Sequence, residues 1–159
     1  MIKHIKCDIF ESGADVICHQ VNCQGVMGSG VAKQVREKYP WVYGTYKSYC
    51  DGIKTRVSER PTSFLLGVAL PVFIDENTII ENLFGQDKYG YDGNCYTSYE
   101  KLKDALRIVK IRYSNKTIAI PYLMGCHRGG GDWNVVYKMI EEVFADYDGD
   151  VLICEYNGG

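Results

Sequence analysis

The alternation of apolar and polar residues along the chain predicts strands separated by helices. Apolar runs typical of buried strands cover residues 14–21, 117–120 and 151–156. Residues 2–9 alternate between apolar and charged or polar side chains, which indicates an edge or half-buried strand ending at Asp8. Two more strands, over 64–74 and 78–84, are joined by a three-residue turn, which favours an antiparallel pair.

Helical spacing appears between these strands. A helix over residues 31–39 should stop before Pro40, because the residue preceding a proline is disfavoured in the helical region. A second helix over 41–50 should end at the Asp-Gly pair that follows it. The segment 53–63 is charged and rich in turn-forming residues, which is typical of a surface connection.

Two further helices carry start signals. Thr97 and Glu100 form a predicted capping box, in which the side chain of each residue accepts a hydrogen bond from the backbone N–H of the other. Asp132 is placed to cap the last helix. The apolar face of that helix consists of Val136, Ile140, Val143 and Tyr147. Strands that alternate with helices in this way predict an α/β sandwich around a mixed sheet.

Two glycine-rich loops, 22–30 and 125–131, each follow a predicted strand and precede a predicted helix. Glycine lets a backbone turn with positive φ and approach a ligand closely, and a helix N-terminus attracts anions. Since both loops follow the carboxyl ends of strands, they should face one crevice and suit a ligand with two adjacent phosphates. Neither loop has the Walker or the G-x-G-x-x-G sequence, which argues against kinase or NTPase chemistry.

Composition narrows the class of protein. The 159 residues have a formal net charge of −2, which argues against a broad nucleic-acid-binding surface. Seven cysteines without a C-x-x-C pair and three scattered histidines favour reduced thiols over a metal site. The first residues are too few and too polar for a signal peptide, and no apolar run reaches the roughly 20 residues of a membrane span. We therefore expect a cytoplasmic protein with no membrane association, no metal and no other cofactor.

Three stretches resemble the macrodomain family of ADP-ribose binders. Residues 21–32 resemble the first loop of that family, 125–133 resemble its diphosphate-binding loop, and Asn82 to Gln86 resemble a strand end of its bacterial and phage branch. That branch lies near the terminal ADP-ribose protein glycohydrolases and the ADP-ribose 1″-phosphate phosphatases. The resemblance implies a single macrodomain over residues 1–159, a three-layer α/β/α sandwich with a mixed sheet of about six strands.

The resemblance also implies ligand contacts. Asp8 would bind the adenine amino group beside the backbone of Ile9, and Asn22 would face the distal ribose. Gly28, Ser29 and Gly30 would wrap that ribose and the nearer phosphate. The diphosphate would lie against Gly125, Cys126, His127, Arg128, Gly129, Gly130 and Gly131. Tyr156 or Asn157 would lie against the adenine or the proximal ribose, and Gln86 is also expected to contact the ligand.

Each of these assignments has an ordinary structural alternative. Asp8 could close a turn, Asn22 could shape its own loop, and Tyr156 could belong to the core. Asp132 is better explained as a helix cap than as a catalytic group.

Catalysis is left open by the sequence. Gln86 and Gly129 stand where the glycohydrolase relatives carry a lysine and an acid, so a lysine-linked intermediate is not implied. Lys88, two residues further on, is a less favoured candidate for the role of that lysine. His19 opens a His-x-x-Asn-Cys stretch similar to that of the yeast-type phosphatases and could act as base or nucleophile, or be a structural strand residue. His127 and Arg128 depart from the family. Arg128 could clamp a phosphate, or both side chains could point to solvent.

Two function classes follow, of which we favour the first. The first is a hydrolase of ADP-ribose 1″-phosphate or of ADP-ribose attached to protein or nucleic acid, and the second is a reader that only binds ADP-ribose. A nucleotide-binding regulator unrelated to ADP-ribose is a third option.

The polar loop 85–94, with Tyr89 and Tyr91, is longer than a usual connection, which favours a binding role.

Overall fold

The computed structural model describes residues 1–56 and 62–156, with the side chains of all of these residues except 54–56. Its strands are β1 (Ile2–Lys6), β2 (Val16–Asn22), β3 (Ala69–Phe73), β4 (Ile79–Gln86), β5 (Ile118–Pro121) and β6 (Val151–Glu155). Its α-helices are α1 (Gly30–Lys38), α2 (Pro40–Arg56), α3 (Tyr99–Arg112) and α4 (Trp133–Val143).

The six strands form one mixed sheet in the order β1-β6-β5-β2-β4-β3. All neighbouring pairs are parallel except β3 and β4, which are antiparallel as their short turn predicts. Pro71 lies in the edge strand β3, the position in a sheet where the missing backbone donor of proline costs least.

Each face of the sheet is covered by a pair of helices. On one face α3 and α4 pack against residues such as Val16, Leu83 and Ile120. On the other face α1 and α2 pack against residues such as Ile17 and Phe84. The three-layer α/β/α sandwich with six strands is therefore confirmed. None of the helices in the described ranges combines the length and apolar character needed to cross a membrane.

The strand order reverses at the centre of the sheet. From β2 the chain proceeds to β3 and β4 on one side, and later to β5 and β6 on the other. The carboxyl ends of β2 and β5, which are neighbours, therefore lie at a topological switch point. A crevice for ligands opens at such a point in open α/β sheets.

Several predicted strands have different bounds. β1 ends at Lys6 rather than at Asp8, because Asp8 caps a 3₁₀ turn over Ile9–Glu11 with its carboxylate. The predicted strand 64–74 was wrong over its first half. There a 3₁₀ turn, Thr62–Leu65, precedes the short β3. Gly85 and Gln86, which we placed in the following loop, belong to β4.

The helix predictions also need two corrections. α2 continues past the Asp51-Gly52 pair to Arg56, with Lys47 and Asp51 paired across one helical turn. The predicted connection 53–63 therefore begins as helix, and residues 57–61 lie outside the described ranges. The capping box was wrong by one residue. Ser98, not Thr97, caps α3 by accepting from the backbone N–H of Lys101.

Other helix signals are confirmed. α1 ends before Pro40, and Asp132 caps α4 by accepting from the backbone N–H of Asn134 at 2.9 Å. At the far end of α3, Arg112 and Tyr113 both bind one oxygen of the buried Glu81 carboxylate, at 2.6 and 2.7 Å. This buried ion pair fixes α3 against β4.

Candidate functional site

A cavity of about 410 Å³ opens at the switch point, and both glycine loops line it. Its volume lies within the range of small-molecule sites, roughly 300–1,000 Å³. Gly28 to Gly30 form one wall at the start of α1, and Gly125 and Gly129 form another wall after β5. Tyr89 and Tyr91, in the segment after β4, also line the cavity. Tyr156, directly after β6, lines it from a strand on the other side of β2 and β5 in the sheet.

The first loop is shaped by Asn22. Its side-chain oxygen accepts from the backbone N–H of Gln24 at 2.9 Å, and its amide donates to the carbonyl of Val26 at 2.8 Å. The hydroxyl of the buried Tyr46 donates towards the same side-chain oxygen at 2.8 Å. Asn22 therefore has the loop-forming role that the sequence left open, although it also lines the cavity. One amide N–H of Asn22 is left over for a ligand.

The first turn of α1 provides anion-binding groups. Ser29 caps the helix through its backbone position, and within the described structure its side chain makes no capping hydrogen bond. The backbone N–H groups of the first helical turn have no partner inside a helix. Gly30, Val31 and Ala32 carry such groups and line the cavity. The turn is thus suited to a phosphate oxygen.

The second loop packs too closely for side chains at its glycines. A Cβ atom at Gly129 would lie 2.4 Å from the Thr97 hydroxyl, and one at Gly130 would lie 2.2 Å from the carbonyl oxygen of Asn94. Gly130 also has a φ of +70°, which favours glycine. The carbonyl of Gly129 accepts from the backbone N–H of Tyr96 at 2.7 Å. The loop is therefore held against segment 94–97, and its course depends on these glycines.

A polar network lies beneath the two loops. The Gln20 amide donates to the Gln86 side-chain oxygen at 2.8 Å and to the Thr97 hydroxyl at 2.9 Å. Thr97 in turn donates to the carbonyl of Gly125 at 2.7 Å. The side-chain oxygen of Gln20 is buried and has no hydrogen-bond partner in the described residues. Gln20 of β2 thus contacts Gln86 of β4 directly and reaches the second loop through Thr97, while the Gln86 amide donates to the carbonyl of Lys88 at 2.9 Å.

His19 lies in β2, lines the cavity and is only 1% exposed. Its Nε2 lies 2.6 Å from the side-chain oxygen of Asn82, whose amide donates to the carbonyl of Leu70. This network assigns the proton to Nε2 and leaves a lone pair on Nδ1. That Nδ1 is buried and, within the described residues, has no partner. Burial lowers the pKa of His19 to about 4, against a smaller opposing effect of the Asn82 hydrogen bond, so the ring is neutral at pH 7.

The described wall of the cavity has no carboxylate and no lysine. Its charged and titratable side chains are Arg128, the two histidines His19 and His127, and tyrosines. Such a wall favours an anionic ligand. The described residues also contain no cluster of three or more His, Cys, Asp or Glu side chains placed to hold a metal ion.

The structure brings together most of the residues that the sequence singled out. Those of the first loop and its surroundings that line the cavity are His19, Asn22, Gly28, Ser29, Gly30 and Gln86. Those of the second loop and the sheet end are Gly125, His127, Arg128, Gly129 and Tyr156. Their contacts with a ligand remain predictions.

Other predicted residues lie outside the cavity wall. The described wall does not include Asp8, Ile9, Cys126, Gly130 or Gly131. Asp8 uses one carboxylate oxygen to accept from the Phe10 backbone N–H at 3.0 Å, the turn-closing role that the sequence left open. Asn157 lies outside the described residues. Tyr156 is 55% exposed and is therefore not a core residue.

Some residues of the site were missed by the sequence analysis. Gln20 and Gln34 line the cavity, as does the stretch from Pro121 to Met124. The alternation in β2 could have indicated Gln20, because a polar residue inside an apolar strand needs a partner. Gln34 lies one turn after the start of α1, and only the packing of that helix brings it to the cavity.

Two curated proteins are similar to this chain in sequence. A DNA ADP-ribosyl glycohydrolase of Mycobacterium tuberculosis is 24% identical over 160 residues, all of this chain and 43% of the relative. An ADP-ribose 1″-phosphate phosphatase of Aspergillus oryzae is 44% identical over 55 residues, 33% of this chain and 27% of the relative. The chain thus spans less than half of the length of these curated relatives. No protein-family model matches it.

Solved structures show the same architecture. The macrodomain of Thermus aquaticus DarG has a TM-score of 0.75 at 20% identity, covering 96% of this chain and 97% of that one. Thermosipho africanus DarTG in complex with ADP-ribose has a TM-score of 0.73 at 17% identity, covering 96% of this chain and 41% of that one. The fold and crevice thus define an α/β/α protein with a cavity at its switch point. More specifically, the chain has the macrodomain fold.

Proposed function

We propose that this protein binds ADP-ribose in the cavity between its two glycine loops and hydrolyses small ADP-ribose derivatives. The observation that carries the proposal is that both loops and the first turn of α1 line one cavity, whose described wall has no carboxylate. Backbone N–H groups of the two loops suit a diphosphate. The name of the M. tuberculosis relative and the ADP-ribose complex of the T. africanus structure support the same ligand.

The sheet order supports one orientation of the ligand. Tyr156 follows β6 and Asp8 follows β1, and these two strands are neighbours on one side of the central loops. Tyr89, Tyr91 and Gln86 lie on the other side, at or after the end of β4. In our proposal the adenine lies towards Tyr156, the diphosphate lies between the loops, and the distal ribose lies towards the end of β4.

His19 is the proposed base for hydrolysis of ADP-ribose 1″-phosphate. The neutral ring holds its proton on Nε2 against Asn82, so Nδ1 can accept a proton from water. The water oxygen would form a bond to phosphorus while the bond from phosphorus to the ribose oxygen breaks, and that oxygen takes up a proton. The products are ADP-ribose and inorganic phosphate.

A second candidate function is a reader that binds ADP-ribose without hydrolysis. Two observations favour it: no lysine or carboxylate lines the cavity in the described structure, and the Nδ1 of His19 is shielded from solvent. The reader and the hydrolase share the binding site and differ only in what happens at the distal ribose.

Calorimetric titration with ADP-ribose tests binding. A Cβ atom on Gly28 would lie 3.6 Å from the Val26 side chain and 3.9 Å from the Tyr91 hydroxyl, both at the cavity. Gly28→Val should therefore leave the fold intact, fill part of the site and weaken binding at least about tenfold. Gly44→Ala is the matched control, because Gly44 lies in α2 with open space around its Cβ position. Absence of ADP-ribose binding by the unaltered protein would contradict the proposal.

Phosphate release from ADP-ribose 1″-phosphate, measured in the same samples, separates the two candidates. The hydrolase predicts release that disappears in His19→Ala while ADP-ribose binding persists. Binding without release from this substrate or from ADP-ribosylated protein and DNA would leave the reader.

A further inference from the structure

Tyr91 spans the mouth of the cavity from one glycine loop to the other. The guanidinium carbon of Arg128, on the second loop, lies 4.4 Å from the centre of the Tyr91 ring. At its other end the Tyr91 hydroxyl comes within 3.9 Å of the Cβ position of Gly28, on the first loop. Both Tyr91 and Arg128 line the cavity. A single aromatic side chain thus bridges two loops that are about a hundred residues apart in the chain.

The backbone around Tyr91 is held from both sides by Tyr96. A Cβ atom at Gly90 would lie 2.4 Å from the Tyr96 hydroxyl, so Tyr96 packs directly on the residue before Tyr91. The same hydroxyl donates to the carboxylate of Asp92, the residue after Tyr91, at 2.9 Å. Tyr96 is itself bound to the second loop through the Gly129 carbonyl. The backbone is therefore fixed, while the Tyr91 side chain, 65% exposed, is held across the mouth by its stack with Arg128.

Within the described residues, no carboxylate neutralises the charge of Arg128. No ion pair of the described residues involves its guanidinium, and no carboxylate lines the described cavity wall. Stacking on an aromatic face occupies the plane of a guanidinium and leaves the N–H groups at its edge free. Those groups suit two oxygens of one phosphate.

We propose that Tyr91 and Arg128 form a latch that selects ADP-ribose derivatives with a small anionic group on the distal ribose over ADP-ribose attached to a macromolecule. This inference rests on the proposed function and on the orientation given there, in which the distal ribose lies towards the end of β4. Arg128 binds the small anion, and the Tyr91 ring occupies the space through which a polymer would have to leave the cavity. An exposed cation–π contact is weak, so the latch opens to admit a ligand.

Three ligands test the latch by calorimetry: ADP-ribose, a non-hydrolysable phosphonate analogue of ADP-ribose 1″-phosphate, and a short oligodeoxynucleotide carrying ADP-ribose. The unaltered protein should bind the phosphonate at least tenfold more tightly than the oligonucleotide conjugate. Arg128→Ala should weaken phosphonate binding about tenfold and ADP-ribose binding less than twofold. Tyr91→Ala should tighten binding of the conjugate at least fivefold, because it clears the mouth.

Two conservative controls accompany these variants. Tyr91→Phe keeps the ring over which Arg128 stacks and should keep the preference of the unaltered protein. Arg107→Ala removes an exposed charge on α3, outside the cavity wall, and should leave all three affinities unchanged.

The latch is overturned if the unaltered protein binds the conjugate as tightly as the phosphonate, or if Arg128→Ala weakens all three ligands equally. Those results would leave ADP-ribose binding itself in place. Failure of the unaltered protein to bind ADP-ribose would instead remove the proposed function, and the latch with it.

Discussion

At the scale of single residues, His19 shows how burial sets the chemistry available to a side chain. The ring is buried, and its hydrogen bond to Asn82 of the neighbouring strand β4 fixes the tautomer. A histidine with its usual pKa would be partly protonated near pH 6.5, whereas burial lowers the pKa of His19 to about 4. The ring can therefore accept a proton at neutral pH, the property that a general base needs.

The same burial makes stability depend on pH. Above pH 6.5 the ring is neutral in both the folded and the unfolded chain. As the pH falls from 6.5 towards 4 the unfolded chain takes up a proton that the folded chain excludes, so His19 destabilises the fold by about 3 kcal/mol between pH 7 and pH 4. The free energy of unfolding, measured with urea at pH 7 and at pH 4, should therefore fall by about 3 kcal/mol less in His19→Gln than in the unaltered protein. Gly44→Ala provides the control, because it changes no titratable group and should keep the pH dependence of the unaltered protein. Equal pH dependence of the free energy of unfolding in His19→Gln and the unaltered protein would refute the prediction.

At the scale of elements, the second loop depends on close backbone packing against segment 94–97. Glycine is favoured in this region by a positive φ and by a lack of space for a Cβ atom. Gly130 and Gly93 differ in the second of these requirements. Both have positive φ, +70° and +79°, but a Cβ atom at Gly130 would meet the Asn94 carbonyl at 2.2 Å, whereas Gly93 faces open space.

Alanine at these two positions should therefore differ in effect. Gly93→Ala should cost about 1 kcal/mol for the left-handed conformation alone. Gly130→Ala should cost at least about 1 kcal/mol more, because the loop must shift, and it should also weaken ADP-ribose binding. Midpoints of urea unfolding and calorimetric affinities measure both effects. Equal losses of stability in the two variants would show that the contact with Asn94 does not matter.

Local signals predicted the elements whose causes are local. The proline after α1, the aspartate before α4 and the short β3–β4 turn were all interpreted correctly from neighbouring residues. Thr97 was misassigned because its hydroxyl binds Gln20 and Gly125, which are distant in the sequence, so the cap of α3 passes to Ser98. The contact between Tyr91 and Arg128 has the same origin and leaves no mark in local sequence.

At the scale of the whole molecule, the order of strands places the site. Parallel β2 and β5 are neighbours, so two loops from distant parts of the chain end at the same crevice. The two glycine loops were recognisable from the sequence, but their separation and the polar network beneath them follow from the assembled sheet. A smaller cavity of about 200 Å³, lined by Asp15, Asn77 and Lys116, lies at the opposite ends of the strands. It serves as the control region in a ligand titration.

Amide NMR spectra recorded during titration with ADP-ribose show whether both glycine loops bind one ADP-ribose molecule. Shared binding should give saturable shifts in the backbone amides of residues 28–32 and 125–131 with a single affinity, and unchanged amides around Asp15 and Asn77. Unchanged loop amides, or shifts confined to the opposite end of the sheet, would contradict it.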